Sequence, residues 1–271
     1  MRTIGKSPPI IEARSKVTGR ALYVDDMPTD LHVKILGSPH PHARVRRIET
    51  SAAEKVPGVT AILTHENVPQ KNINFGCHRP CRAMEPHMRY IGDYVAAVAA
   101  TTLAAAERAI KLIQVEYEVL PAVFDPEEAL HSDAPKLYPE GNDYSAATEM
   151  PPHQHNPTSL QEWGDIQKGF READVTVETA LDIGSQAHAA MEPHVCMALW
   201  DDGQLTIWSA TQTPTELHTF AAEYFELPLR RVVVLSEHVG GGFGGKYTGR
   251  YQYLVCLLAQ QRRGQRVRLT L

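Results

Sequence analysis

Cysteine is scarce in this chain. Four occur in 271 residues, at positions 77, 81, 196 and 256, too few and too scattered to staple a fold with disulfides. Long apolar runs are missing as well. The stretch Tyr94 to Ala100 is among the longest, and it is far too short to cross a bilayer. Positive charge is also in short supply: 27 Lys and Arg against 32 Asp and Glu leave a net charge of -5. No basic field exists to grip a phosphate backbone, which argues against nucleic acid as a partner. The opening residues Met1 to Lys6 carry no apolar segment behind their basic residues and do not read as a secretory signal. A reducing cytoplasm is the expected compartment.

What is present is ordinary for a water-exposed globular protein, with 43% hydrophobic and 22% charged residues. The length suffices for two domains with a sizeable core. Residues 1–20 read as a polar arm. Short β-like runs follow, an alternating one at Leu31 to Leu36 and a compact apolar one at Val59 to Leu63. Thr101 to Ile113 reads as a helix with Thr102 as N-cap and Leu103, Ala106, Ile110 and Ile113 on its apolar face. Val115 to Val119 alternates as a strand that Pro121 stops. Residues 131–162 are rich in proline, asparagine and histidine, and read as a linker. Beyond them the pattern gives a short helix (Ile166 to Ala173) and strands at Val175 to Leu181, Leu205 to Trp208 and Arg231 to Leu235. It also gives a helix from Pro214 to Phe225 behind Thr213, with Leu217, Phe220, Ala221 and Phe225 as its core face. A last helix over 250–262 turns Tyr253, Leu254, Leu257 and Leu258 inward and closes at Gly264. Residues 266–271 read as a strand just beginning, which suggests a cut sequence or a second chain completing the fold. The expected class is α+β, with domains at 1–130 and 163–271.

Two motifs invite chemistry. Cys77 and Cys81, with His78 between them and His87 after, hint at a metal site. A zinc or iron-sulfur centre wants four such ligands, however, and no second cysteine pair exists, so loop cysteines are the simpler reading. The stronger feature is Gly240-Gly-Gly-Phe-Gly-Gly-Lys246, between a strand and a helix. Consecutive glycines let the backbone turn tightly and offer free N–H groups to anionic oxygens. Taken alone, the loop satisfies a degenerate phosphate loop, with Tyr247 where a Ser or Thr should hold magnesium, and a dinucleotide glycine pattern. It also satisfies a plain glycine-rich hairpin.

The string His238-Val-Gly-Gly-Gly-Phe-Gly-Gly-Lys246 resembles the molybdopterin-binding loop of the xanthine dehydrogenase/aldehyde oxidase family. Lys16-Val-Thr-Gly-Arg-Ala-Leu-Tyr-Val-Asp-Asp26 and Ser38-Pro-His-Pro-His-Ala-Arg44 are similar to the opening of that family's α/β-hammerhead domain. Arg89-Tyr-Ile-Gly-Asp93, Val95 to Val98 and Val115 to Pro121 are similar to its later signatures. Gly164-Asp-Ile, Gly169-Phe, Ala173-Asp174, Gln186-Ala-His-Ala-Ala-Met-Glu-Pro193 and Ala210-Thr-Gln-Thr213 follow in the order of the first molybdopterin-binding domain.

The resemblance implies an α/β-hammerhead domain followed by part of a molybdopterin-binding domain. It implies a subunit, or the N-terminal piece of one, in an enzyme that hydroxylates an aldehyde or an aromatic or N-heterocyclic substrate with water as oxygen source. The alternative is a non-catalytic fragment or scaffold of such a complex. The cofactor implied is molybdopterin, in its plain or cytosine dinucleotide form, with [2Fe-2S] clusters and FAD on partner subunits. A second chain completing the molybdenum subunit is a further expected partner.

By resemblance, Gln186 hydrogen-bonds an oxygen ligand of the metal, and the Gly244 N–H reaches another. The Phe243 ring walls the substrate pocket, and Gly241 and Gly242 complete the cofactor loop. The molybdenum is held through the pterin, with no protein ligand. Tyr247 stands in the pocket where purine-oxidising members carry a glutamate, which disfavours a purine. Met191-Glu-Pro-His194 resembles the form in hydroxybenzoyl-coenzyme A reductase-like members. Glu192 reads as structural, because the family's catalytic base lies in a later segment that this sequence does not include.

Overall fold

A computed structural model describes residues 4–73, 81–139, 141–142 and 163–271. These divide into two units, one of residues 1–122 with 190–271 and one of residues 123–189.

In chain order the first unit runs α1 (Ala13–Val17), β1 (Leu31–Gly37), β2 (Ala43–Glu49), α2 (Ser51–Glu54), β3 (Val59–Thr64), β4 (Asn72–Ile73), β5 (Cys81–Arg82), β6 (His87–Met88), β7 (Tyr94–Ala100), α3 (Leu103–Ile110) and β8 (Gln114–Val119). Two helices of the second unit intervene, α4 (Pro126–Ala129) and α5 (Ile166–Glu172). The first unit then resumes with β9 (Val195–Asp201), β10 (Gln204–Ser209), α6 (Pro214–Tyr224), β11 (Val232–Leu235), α7 (Arg250–Gln261) and β12 (Val267–Thr270).

Seven strands form one mixed sheet in the order β11-β10-β9-β12-β1-β7-β3, so strands from both ends of the sequence share it. A three-stranded sheet, β6-β2-β8, and the pair β4-β5 stand beside it. β12 lies between β1, to which it is parallel, and β9, to which it is antiparallel. The terminal strand, expected from the sequence to need an outside partner, therefore finds both neighbours within the chain.

β7 explains why a run of small apolar residues forms a central strand. Ala96, Val98 and Ala100 face a cluster with Ala106 and Ala109 of α3, while Ala97 and Ala99 face the main core on the other side. With both faces covered, no polar alternation survives. The Oγ1 of Thr102 caps α3 by accepting the Ala105 N–H at 3.2 Å. The face that α3 buries is Ala105, Ala106 and Ala109, whereas Leu103 stays exposed. Small residues are what the close approach to β7 admits. In α6 the buried set is Leu217, Ala221, Ala222 and Tyr224; Phe220 and Phe225 are half-buried against the same core. α7 is buried along its whole length from Tyr251 to Ala259, beyond the four residues expected to point inward. Gly264 closes the turn after it at φ +80 and donates its N–H to the Trp200 carbonyl at 2.9 Å.

In the second unit, Asp165 caps α5 by accepting the Lys168 N–H at 2.8 Å. Residues 175–181, expected as a strand, have no regular structure, and Val175, Val177 and Leu181 are exposed. A strand exists only by pairing, and these residues meet no hydrogen-bonded neighbour strand among the described residues. Among the described residues no helix is long and apolar enough to cross a membrane.

Candidate cofactor site

The glycine loop leaves the sheet after β11 and ends where α7 begins, and side chains from two earlier segments hold it. The first is Glu192, just before β9. Its Oε2 accepts the Gly240 N–H at 2.7 Å and the Lys246 Nζ at 2.9 Å. Both ends of the loop thus close on one oxygen, and the side chains of Lys246 and Glu192 are only 1% and 8% exposed. The second is Gln212, after β10. Its Oε1 accepts the N–H groups of Gly244 at 3.0 Å and Lys246 at 3.3 Å. His194 adds a ring N–H donated to the Gly245 carbonyl at 2.7 Å.

This geometry removes the phosphate-loop reading. A phosphate-binding lysine must reach out of its loop, whereas Lys246 is buried and neutralised by Glu192. It also supports the structural reading of Glu192.

The loop's outer arc is different. The N–H groups of Gly241, Gly242 and Phe243 have no hydrogen-bond partner among the described residues. Consecutive free amides of this kind suit an anionic or carbonyl oxygen. Phe243 stands beside them, 71% exposed and with the left-handed φ of +54. A large aromatic held outward in a strained backbone conformation is a mark of a contact surface. Tyr247 follows at 47% exposure.

The structure therefore brings Gly241, Gly242, Phe243, Gly244 and Tyr247 together on one loop. Gln186 lies in the second unit, exposed and without regular structure. The Gly244 N–H, expected to reach a metal ligand, is instead held by the side-chain oxygen of Gln212. Sequence reasoning missed Gln212 as a functional residue. Its one signal in the sequence is its place in Ala210-Thr-Gln-Thr213, which is similar to the family's pattern.

Of the metal reading, Cys77 and His78 lie outside the described residues. His87 shares a 2.7 Å ring contact with His42. Burial pushes the Cys81 thiol up to about 11 and raises Cys196 and Cys256 too, so none of the three is a ready thiolate at neutral pH. Among the described residues no group of three or more His, Cys, Asp or Glu comes together as a metal site.

Comparison with known proteins decides the family. Residues 18–121 match the aldehyde oxidase and xanthine dehydrogenase a/b hammerhead domain, and residues 149–271 match the molybdopterin cofactor-binding domain. A probable xanthine dehydrogenase subunit of Bacillus subtilis (strain 168) is 36% identical over 253 residues, covering 92% of this chain. The chain belongs to the xanthine dehydrogenase/aldehyde oxidase family. Its architecture is that of the family's hammerhead domain with part of a molybdopterin-binding domain.

Solved family members superpose closely. Quinoline 2-oxidoreductase from Pseudomonas putida 86 gives a TM-score of 0.81 at 29% identity over 99% of this chain. The aldehyde oxidoreductase of Desulfovibrio desulfuricans gives 0.82 at 26% over 98%. The chain spans about a third of the length of these relatives, 32% of the Bacillus protein and 34% and 30% of the two solved chains.

Proposed function

We propose that this chain is the N-terminal part of the molybdenum-cofactor-binding subunit of a molybdenum hydroxylase that oxidises an aldehyde or an N-heterocyclic aromatic, with water as the oxygen source. The observation that carries the reading is the outer arc of the glycine loop. Among the described residues, three adjacent backbone N–H groups there have no partner beside an exposed Phe243, while the loop's own ends are bonded to Glu192. That donor set fits an oxygen-rich pterin cofactor, plain or as its cytosine dinucleotide, better than it fits a bare metal ion.

Gly241, Gly242 and Phe243 would hold the group by their backbone N–H groups, so no charged side chain has to be desolvated to bind it. Gln186 would add a neutral amide, which can donate a hydrogen bond to an oxygen ligand without competing for the metal. Once bound, the cofactor supplies two-electron redox chemistry and the activation of water. The protein's share is placement: the Phe243 ring gives a flat substrate a wall, and the free amides favour negative charge beside it. Tyr247 offers a phenol where a carboxylate would grip a polar purine, which turns selectivity toward aldehydes and less polar rings.

The family members named above act on chemically different substrates, as their names state, while the Bacillus relative is named as one subunit of an enzyme. The reading accordingly includes partner subunits carrying [2Fe-2S] clusters and FAD, and a polypeptide segment that provides the catalytic base. The test uses the complex as purified from its native cell, given benzaldehyde or quinoline in water enriched in oxygen-18. Product carrying the heavy oxygen is expected. Product that takes its oxygen from dioxygen, or no product with either class, would count against the reading.

A further inference from the structure

We propose that Gln212 is the positioning residue of the cofactor loop, the template around which residues 242–246 are wound. Three observations meet on this one side chain. Its Oε1 accepts from both Gly244 and Lys246, at 3.0 and 3.3 Å. Its own backbone N–H donates to the Lys246 carbonyl at 2.7 Å, fixing the side chain's root to the loop. A Cβ placed on Gly242 would stand 2.4 Å from Gln212 Oε1, 2.5 Å from Cδ and 2.7 Å from Cγ. The side chain therefore lies flat inside the bend, and Gly242 is glycine because Gln212 occupies the space a methyl group would need.

An acceptor in that place sorts the loop's amides. The N–H groups of Gly244 and Lys246 turn inward to Oε1, whereas those of Gly241, Gly242 and Phe243 are left without partners among the described residues. Satisfying the inner pair is what lets the loop hold its outer donors and the left-handed Phe243 in one arrangement before any ligand arrives, and preorganisation of this kind is worth affinity. Gln212 itself is exposed, so its removal should spare the core and strike the loop. The consequence for cofactor binding rests on the proposed function; the geometry of the loop does not.

The experiment compares the full chain, purified from its native cell with its partners, as wild type, Gln212→Ala, Gln212→Glu, Gly242→Ala and the double variant Gln212→Ala with Gly242→Ala. Three quantities are read: hydrogen exchange at the Gly244 and Lys246 amides, molybdenum retained after prolonged dilution, and melting temperature. Gln212→Ala should speed exchange at both amides by about fivefold or more, the worth of one ordinary hydrogen bond, and lower molybdenum retention, with little change in melting temperature. Gln212→Glu keeps an acceptor oxygen and should restore slow exchange and retention, which a loss of bulk alone would not allow. Gly242→Ala forces the Gln212 side chain out and should speed the same amides, with no further increase in the double variant. Unchanged exchange in Gln212→Ala, or additive effects in the double variant, would overturn the proposal. Wild type without molybdenum would overturn the cofactor reading instead, while the exchange data would still decide the role of Gln212.

Discussion

Replacing Lys246 with methionine tests whether the ion pair at the foot of the loop is held by mutual compensation. The Lys246 and Glu192 side chains are 1% and 8% exposed, so neither charge can recover much hydration in the folded state. Glu192 Oε1 is buried without a hydrogen-bond partner among the described residues, which leaves Oε2, with Lys246 at 2.9 Å and the Gly240 N–H at 2.7 Å, as the carboxylate's compensation there. Removing one member of a buried pair costs about 3–5 kcal/mol, because the other is stranded. At roughly 2–4 °C per kcal/mol for a domain of this size, the melting temperature should fall by about 10 °C. The double variant Glu192→Gln with Lys246→Met should recover most of that loss, since a neutral amide can still accept from Gly240 and the apolar chain fills the lysine's space. Chemical unfolding of the three proteins reads the free energies, and thermal melts read the temperature shift. A loss below about 1 kcal/mol in Lys246→Met, or a double variant no better than the single, would refute the reasoning.

Other expectations follow from the same geometry. Phe243 holds φ +54 with its ring exposed; a left-handed non-glycine residue costs roughly 1–2 kcal/mol, so Phe243→Gly should melt no lower than wild type while substrate oxidation falls. A large loss of stability would show that the ring packs against something the protein needs. Tyr247→Glu should raise the turnover of a purine relative to an aldehyde, measured as a ratio of kcat/KM values; an unchanged ratio removes Tyr247 from the pocket. Burial, then the charges of Arg89, His42 and Arg44, hold His87 below the ordinary histidine value of 6.5, against an opposing pull from Glu85. A lowered folded value means the unfolded chain binds the proton first, so this contribution to stability is intact above about pH 6.5 and lost as pH falls through the lowered value. Thermal melts at successive pH values should show that decline, and His87→Gln should flatten it; an equal decline in the variant would place the proton elsewhere.

Much of the fold was legible because periodicity and caps report local physics. Thr102 before Leu103, and proline at the first turn of the 214–224 helix, mark helix starts that any solvent would enforce. β2 and β9 escaped for opposite reasons. Ala43 to Glu49 is dominated by arginine and glutamate on its exposed side, and Val195 to Asp201 is buried on both faces and shows no alternation. Residues 175–181 have the alternation, yet pairing is a property of a neighbour that their own sequence does not contain.

The site divides the same way. The glycine loop announces itself in seven consecutive residues. That Lys246 belongs to Glu192, across 54 positions, and Gly244 to Gln212, across 32, is decided by how the chain folds back on itself. The sequence pattern at Lys246 matches a phosphate loop except at Tyr247, and the burial of Lys246 against Glu192 shows why that match carries no chemistry.

The most direct test of the central claim is molybdenum content, measured on this chain purified from its native cell together with whatever remains bound. The account predicts about one molybdenum per copy, accompanied by iron-sulfur and flavin partners. A chain recovered without molybdenum from cells that make the cofactor for other enzymes would contradict it.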